Sequence, residues 1–181
     1  MDRIHTLSIF TENSPGVLHR ITAVFTRRKI NIESLTVSET VEKGISRFTI
    51  SVKCPDDLVD KVAKQINRVI EVVDIFVAKD QDLVFREIAL FKLAVSSAEQ
   101  REKVESELSR HDAKISYASE ESIIVEKAGT EDEIASLHVF LQPYNIIQFV
   151  RSGRVALLKA TRQDKSNVIE SKRNVSYPVS I

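Results

Sequence analysis

The chain has 181 residues and carries 26 lysines and arginines against 26 aspartates and glutamates, a zero net charge that argues against a general nucleic-acid binder. Its length suits two small domains, and the single cysteine, Cys54, excludes an internal disulfide framework and a multi-cysteine metal site. With no export-type leader and no apolar run of membrane-spanning length, a cytoplasmic protein in a reducing compartment is expected.

In chain order, Leu7 and Ile9 alternate with Thr6 and Ser8 as a half-buried strand should, and the alternation stops at Asn13-Ser14-Pro15-Gly16. Ser14 suits an N-cap and Pro15 the first helical position, which predicts a helix beginning at Pro15. Val17, Leu18, Ile21, Val24 and Phe25 then recur at helical spacing, and Arg27, Arg28 and Lys29 fall where they complement the helix dipole. First-turn amides have no intrahelical partner, and Gly16 has no side chain to cover them. The helix start therefore reads either as a water-covered turn or as a seat for a carboxylate or phosphate.

Ile30 to Val37 reads as a strand whose apolar phase slips between Ile32 and Leu35, which a bulge near Glu33 would explain. Phe48, Ile50 and Val52 alternate with Arg47, Thr49 and Ser51, giving a third strand with one wet face that pairs with the second as a hairpin. Pro55-Asp56-Asp57 opens a second helix with Leu58, Val59, Val62, Ala63 and Ile66 inward, and the β-branched run Val69 to Ala78 is a fourth strand. That order, strand-helix-strand-strand-helix-strand, predicts an α+β fold of the ferredoxin-like βαββαβ type.

Lys79-Asp80-Gln81-Asp82 closes the unit, with a linker expected over 80–85, and the pattern then repeats. Ile88 to Val95 is strand-like, and Ser97 with Gln100 forms a capping box opening a helix through Arg110. Ile115 to Ala118 and Ile123 to Ala128 flank the polar turn Ser119-Glu120-Glu121. Thr130 and Glu133 form another capping box, Ile134, Leu137 and Leu141 make an apolar stripe, Pro143 stops the helix and Ile146 to Val150 returns as a strand. Val155 to Leu158 offers one more short strand. The expected organisation is two consecutive ferredoxin-like domains, 1–79 and 86–160, with a flexible tail at 161–181.

Catalytic chemistry finds no constellation. His5, His19, His111 and His138 are scattered, with no metal-ligand spacing, so neither a catalytic nor a metal site is expected. With four glycines in all, there is no dinucleotide fingerprint, phosphate loop or nucleophile elbow. An RNA-binding reading of a ferredoxin-like sheet wants paired aromatics on its central strands, and Thr6, Ser8, Phe10, Arg47 and Phe48 do not supply them.

Three stretches, Glu12-Asn13-Ser14-Pro15-Gly16-Val17-Leu18, Asn31-Ile32-Glu33-Ser34-Leu35-Thr36-Val37 and Ser46-Arg47-Phe48-Thr49-Ile50, resemble the N-terminal ACT domain of small regulatory subunits of acetolactate synthase (acetohydroxyacid synthase). Arg86-Glu87-Ile88-Ala89-Leu90 and Arg151-Ser152-Gly153-Arg154-Val155-Ala156-Leu157 extend the resemblance to about residue 160. The resemblance implies a non-catalytic subunit that activates a catalytic partner and withdraws that activation when a branched-chain amino acid, valine foremost, binds at a homodimer interface of two ACT domains. It places Asn13, Ser14, Pro15, Gly16, Val17 and Leu18 in the effector loop, Asn31 as a residue reaching the effector across the dimer, and Leu35 and Val37 as an apolar wall. Read alone, Asn31 is more simply a turn asparagine following the first helix. By the same resemblance, thiamine diphosphate, a divalent metal and a flavin belong to the catalytic subunit and no cofactor to this chain, and neither nucleic acid nor membrane is a partner. The alternative is a stand-alone amino-acid-sensing ACT protein acting on some other partner.

Overall fold

A computed structural model describes residues 2–95 and 97–159, so the tail expected at 161–181 lies outside the described residues. The chain divides into two compact units. One runs from the N-terminus through Val84 and takes in the strand end from Ala156, and the other spans Phe85–Val155.

The first unit is built from β1 (Arg3–Glu12), α1 (Val17–Arg27), β2 (Ile32–Glu39), β3 (Ile45–Cys54), α2 (Asp56–Ile66) and β4 (Val72–Lys79), with sheet order β2-β3-β1-β4. All pairings are antiparallel. Leu7 and Ile9 lie opposite Ile50 and Phe48, and these side chains form one core with Ile21, Val24 and Phe25 of α1 and Val59, Val62 and Ile66 of α2. The expected bulge in β2 is present: register shifts between Ile32 and Ser34, leaving Glu33 as the extra residue, and this returns Leu35 to the core side opposite Ile50. Cys54 ends β3 nearly fully buried, where burial raises its thiol pKa and keeps it protonated and unreactive.

Three expectations shift. β4 begins at Val72, because Val69 and Val72 donate to Ile66 and Val69 carbonyls and hold the chain in turns after α2. Lys29 stands at φ 56 beyond the end of α1, so it terminates the helix and only Arg27 lies in the last turn. The second face of β3 is not wet: Thr49 and Ser51 are buried and Arg47 half-buried. On that face Arg47 donates to Ser8 Oγ at 3.1 Å and to the carbonyl of Ala156, so the late strand end covers it, and desolvation lowers the guanidinium pKa.

The second unit repeats the topology with β5 (Leu83–Ala94), α3 (Ala98–Leu108), β6 (Lys114–Ala118), β7 (Ser122–Gly129), α4 (Glu131–Leu141) and β8 (Ile146–Arg151), in sheet order β6-β7-β5-β8. Its first strand, β5 (Leu83–Ala94), starts five residues before Ile88. The stretch expected as linker thus holds a 3-10 turn at Asp80–Asp82 and the beginning of β5. Inward-pointing Leu83 and Glu87 continue the period-2 pattern of Ala89, Phe91 and Leu93, and the short strand β9 (Val155–Leu158) pairs with β5. Ser97 caps α3, accepting from the Gln100 amide at 3.2 Å. Thr130 and Glu133 form a full capping box on α4, and the hydrogen bond from the Thr130 amide holds the Glu133 carboxyl below the usual carboxylate range. Ala89, Phe91, Leu93, Ile123, Ile134, Leu137 and Leu141 are the core.

The two motif stretches of this half meet. Glu87, 3% exposed, lies 3.4 Å from Nε of Arg154, itself 4% exposed, and 3.3 Å from Nε of Arg151. Ile88 and Ser152 exchange two hydrogen bonds beside them. Removing the carboxylate would leave a buried guanidinium without its counter-charge, so Glu87→Ala should cost about 3–5 kcal/mol in denaturant unfolding. Since the folded-state pKa of Glu133 is depressed, its capping contribution is complete above the unfolded value of about 4.3 and fades as pH falls through the folded value. Glu133→Gln should therefore lower stability at neutral pH and by less in acid, read from unfolding curves at the two pH values, whereas Thr130→Ala, which keeps the Thr130 amide, should cost ~1 kcal/mol at either pH.

Candidate functional site

The loop after β1 is fixed by its backbone. Glu12 donates to the Glu71 carbonyl at 2.9 Å, Asn13 to the Gly44 carbonyl at 2.7 Å and Ser14 to the Glu12 carbonyl at 3.0 Å. The helix does not start where the sequence pattern put it. α1 begins at Val17, its N-cap is Gly16 in the left-handed region at φ 85, and no side chain caps it. The physical reason is the turn itself: Ser14 and Pro15 belong to a bend that only a residue tolerating positive φ can complete. The Ser14 hydroxyl is consequently not the acceptor for the first-turn amides.

Two further features make this helix start electropositive. Its first turn contains no acidic residue. Arg20 sits four residues after Gly16, with its guanidinium 3.4 Å from the point a Cβ on Gly16 would occupy and its Nη2 2.6 Å from Glu71 Oε1. A cation in a helix's first turn opposes the dipole and is unfavourable unless an anion balances it, which Glu71 does here. Helical spacing alone does not single out Arg20; a basic residue one turn after a capping glycine is the available signal. Asn13, Ser14, Pro15 and Gly16 are exposed, Val17 is 2% exposed and contributes only its backbone, and Leu18 presents an apolar surface at 45% exposure.

Asn31 is exposed just before β2, and its amide nitrogen donates to Glu33 Oε1 at 3.2 Å. Leu35 is half-buried against the core, and Val37 is exposed on the same face, opposite Phe48. β2 lies at one end of the sheet order, with one side of its backbone unpaired within the described strands. Eleven helical residues separate Gly16 from the end of α1. At 1.5 Å per residue that is about 16 Å, so within one chain Asn31 and the Asn13–Gly16 loop do not converge on one small ligand. Leu35 and Val37 run back along β2 toward the β2–β3 turn whose Gly44 carbonyl holds Asn13.

Such a helix start can hold a carboxylate through backbone amides and a nearby guanidinium, with an asparagine side chain left for a polar head group. Among the described residues, no group of three His, Cys, Asp or Glu side chains could hold a metal ion, and no helix is long and apolar enough to cross a membrane.

A family model described as an acetohydroxyacid synthase small subunit-like ACT domain matches residues 7–74, and one described as the small subunit of acetolactate synthase matches residues 86–160. An acetolactate synthase small subunit of Bacillus subtilis is 37% identical over 169 residues, covering 92% of this chain and 96% of that protein. One of Mycolicibacterium smegmatis is 35% identical over 158 residues, covering 87% and 92%. The crystal structure of an acetolactate synthase small subunit from Thermotoga maritima superposes with a TM-score of 0.80 at 29% identity, covering 88% of this chain and 99% of that one.

The turn geometry is directly testable. Gly16→Ala forces a Cβ into the left-handed region and should cost about 1–2 kcal/mol in unfolding free energy. Gly44→Ala, at the same φ of 85 but in open space, should cost a similar amount and serves as the comparison for strain alone.

Proposed function

Because the chain belongs to the acetolactate synthase small-subunit family, we propose that it is the regulatory subunit of that synthase. It activates a separate catalytic subunit and confers feedback inhibition by a branched-chain amino acid, valine foremost, bound between two ACT domains. The observation that carries this reading is the electropositive, uncapped helix start at Gly16, too far from Asn31 for both to serve one ligand inside a single chain. Pairing two β2 edges antiparallel about a two-fold axis would lay the beginning of one strand against the end of the other. That brings the partner copy's equivalent of Asn31 to the level of Leu35, Val37 and the Asn13 loop. The effector carboxylate then meets the amides of Val17 and Leu18 and the Arg20 guanidinium, while side-chain oxygens of Asn13 and of the second copy's Asn31 accept from its ammonium. Leu18, Leu35 and Val37 wall its aliphatic end.

The magnitudes suit a metabolite sensor. Burying a valine-sized side chain contributes ~1.5–3 kcal/mol and each charge-assisted hydrogen bond ~1.5–3, against several kcal/mol of association cost. A net of roughly 4–7 kcal/mol corresponds to millimolar to about ten-micromolar affinity.

Valine should raise the melting temperature of the isolated chain, and adding the chain to its catalytic subunit should raise turnover, which valine then reduces. Asn13→Ala and Asn31→Ala should each abolish the valine shift. Because each composite site takes one asparagine from each copy, heterodimers of the two variants should regain one intact site per dimer, measured as half the wild-type valine stoichiometry by calorimetry. No recovery in the mixture would reject the shared site. Capture from cells of a different protein in place of the synthase would favour a stand-alone sensor.

A further inference from the structure

An open cleft of ≈ 800 Å³ is walled by α1, α2 and the segment that follows α2, with Arg20, Arg27, Arg28, Lys61, Lys64 and Arg68 among its lining residues. A chain of zero net charge thus gathers six cations in one concavity, with Glu71 the single carboxylate among its lining residues. Arg28 is held to Gln65 by two hydrogen bonds of 3.2 and 2.9 Å, Lys61 pairs with Asp57, and Arg20 pairs with Glu71. Among the described residues, Arg27, Lys64 and Arg68 have no ion pair, and all three are exposed. Beside them Val69 and Ile70 form the rim, Ile70 at 89% exposure.

We infer that this cleft docks an acidic surface of the catalytic partner, and that Arg20 is shared between that contact and the effector loop. The inference rests on the regulatory reading above. Charge complementarity sets the chemistry of the occupant: uncompensated guanidinium and ammonium groups along two helices attract carboxylates and speed encounter. The exposed apolar tip of Ile70 next to those charges separates a protein occupant from a phosphate compound. An interface core buries such a side chain inside a polar rim, whereas a phosphate gains nothing from it.

Arg20 gives this docking a link to the effector. Its guanidinium faces Gly16 on one side and Glu71 in the cleft on the other. An effector carboxylate at the helix start draws the guanidinium toward the loop, and an acidic partner draws it toward the cleft. Each ligand therefore weakens the other, and the coupling must be equal in both directions.

The test is the affinity of the full-length chain for the purified catalytic subunit at low and physiological salt. Lys64→Glu/Arg68→Glu should weaken binding by about tenfold or more at low salt and flatten its salt dependence, and Lys64→Gln/Arg68→Gln should show a smaller loss of the same kind. Both variants should keep the valine-induced thermal shift of the isolated chain, which reports that they are folded. Arg20→Gln should reduce the amount by which saturating valine changes the affinity for the catalytic subunit. If wild-type chain binds the catalytic subunit and the charge-reversed variant binds equally well, the docking inference is overturned while the regulatory function stands. If the wild-type chain does not bind at all, it is the regulatory reading that fails. Saturable binding of inorganic tripolyphosphate that the reversal abolishes, with catalytic-subunit affinity untouched, would reassign the cleft to a small polyanion and overturn the inference.

Discussion

A helix of fixed length sets the logic of this molecule. α1 places the anion-ready turn at one end and Asn31 beyond the other, and about 16 Å of rigid backbone lies between them. No side-chain rearrangement closes that gap, so a site using both must draw on two chains. β2, lying at the margin of the sheet with its outer backbone groups unpaired among the described strands, is the element suited to recruit the second copy. In the dimer proposed above, sensing and dimerisation are one equilibrium, because a ligand held by both copies stabilises the pairing that creates its own pocket.

The turn preceding that helix is tuned by omission as much as by what it contains. A side-chain cap would occupy the first-turn amides, and an acidic first turn would neutralise their field. Gly16 in the left-handed conformation provides no cap, and the sequence provides no acid in that turn. The opposite choice appears at α4, where Glu131, Asp132 and Glu133 fill the first turn and Thr130 closes it with a capping box. The two helix starts occur in units of the same topology, yet one is closed by a capping box and the other carries no side-chain cap.

Much of the architecture was legible from residue periodicity. Strand alternation, the β2 bulge, both second-unit caps and the short final strand all follow from local rules, and the two βαββαβ units emerge from their order. Details that depend on three-dimensional neighbours were not legible. Ser14 and Pro15 satisfy the local preferences of a helix start, yet backbone hydrogen bonds to Gly44 and Glu71 fix the loop so that the turn completes one residue later, at Gly16. Arg20 matters because of what it faces, which no spacing rule encodes. Arg47, Thr49 and Ser51 look solvent-facing because they are polar, but Thr49 and Ser51 are buried and Arg47 donates to a carbonyl more than a hundred residues away in sequence. Glu87 reads as a surface charge until Arg154 and Arg151 are folded against it.

That distant contact bears on where the first domain truly ends. By strand count it is complete at Lys79, yet the carbonyl of Ala156 accepts from Arg47, whose guanidinium also donates to Ser8. A fragment cut after β4 would keep every strand and helix of the fold while returning a desolvated guanidinium to water. The minimal unit that reproduces the first domain as it exists in the intact chain is therefore discontinuous, a βαββαβ core completed by residues that follow the second domain.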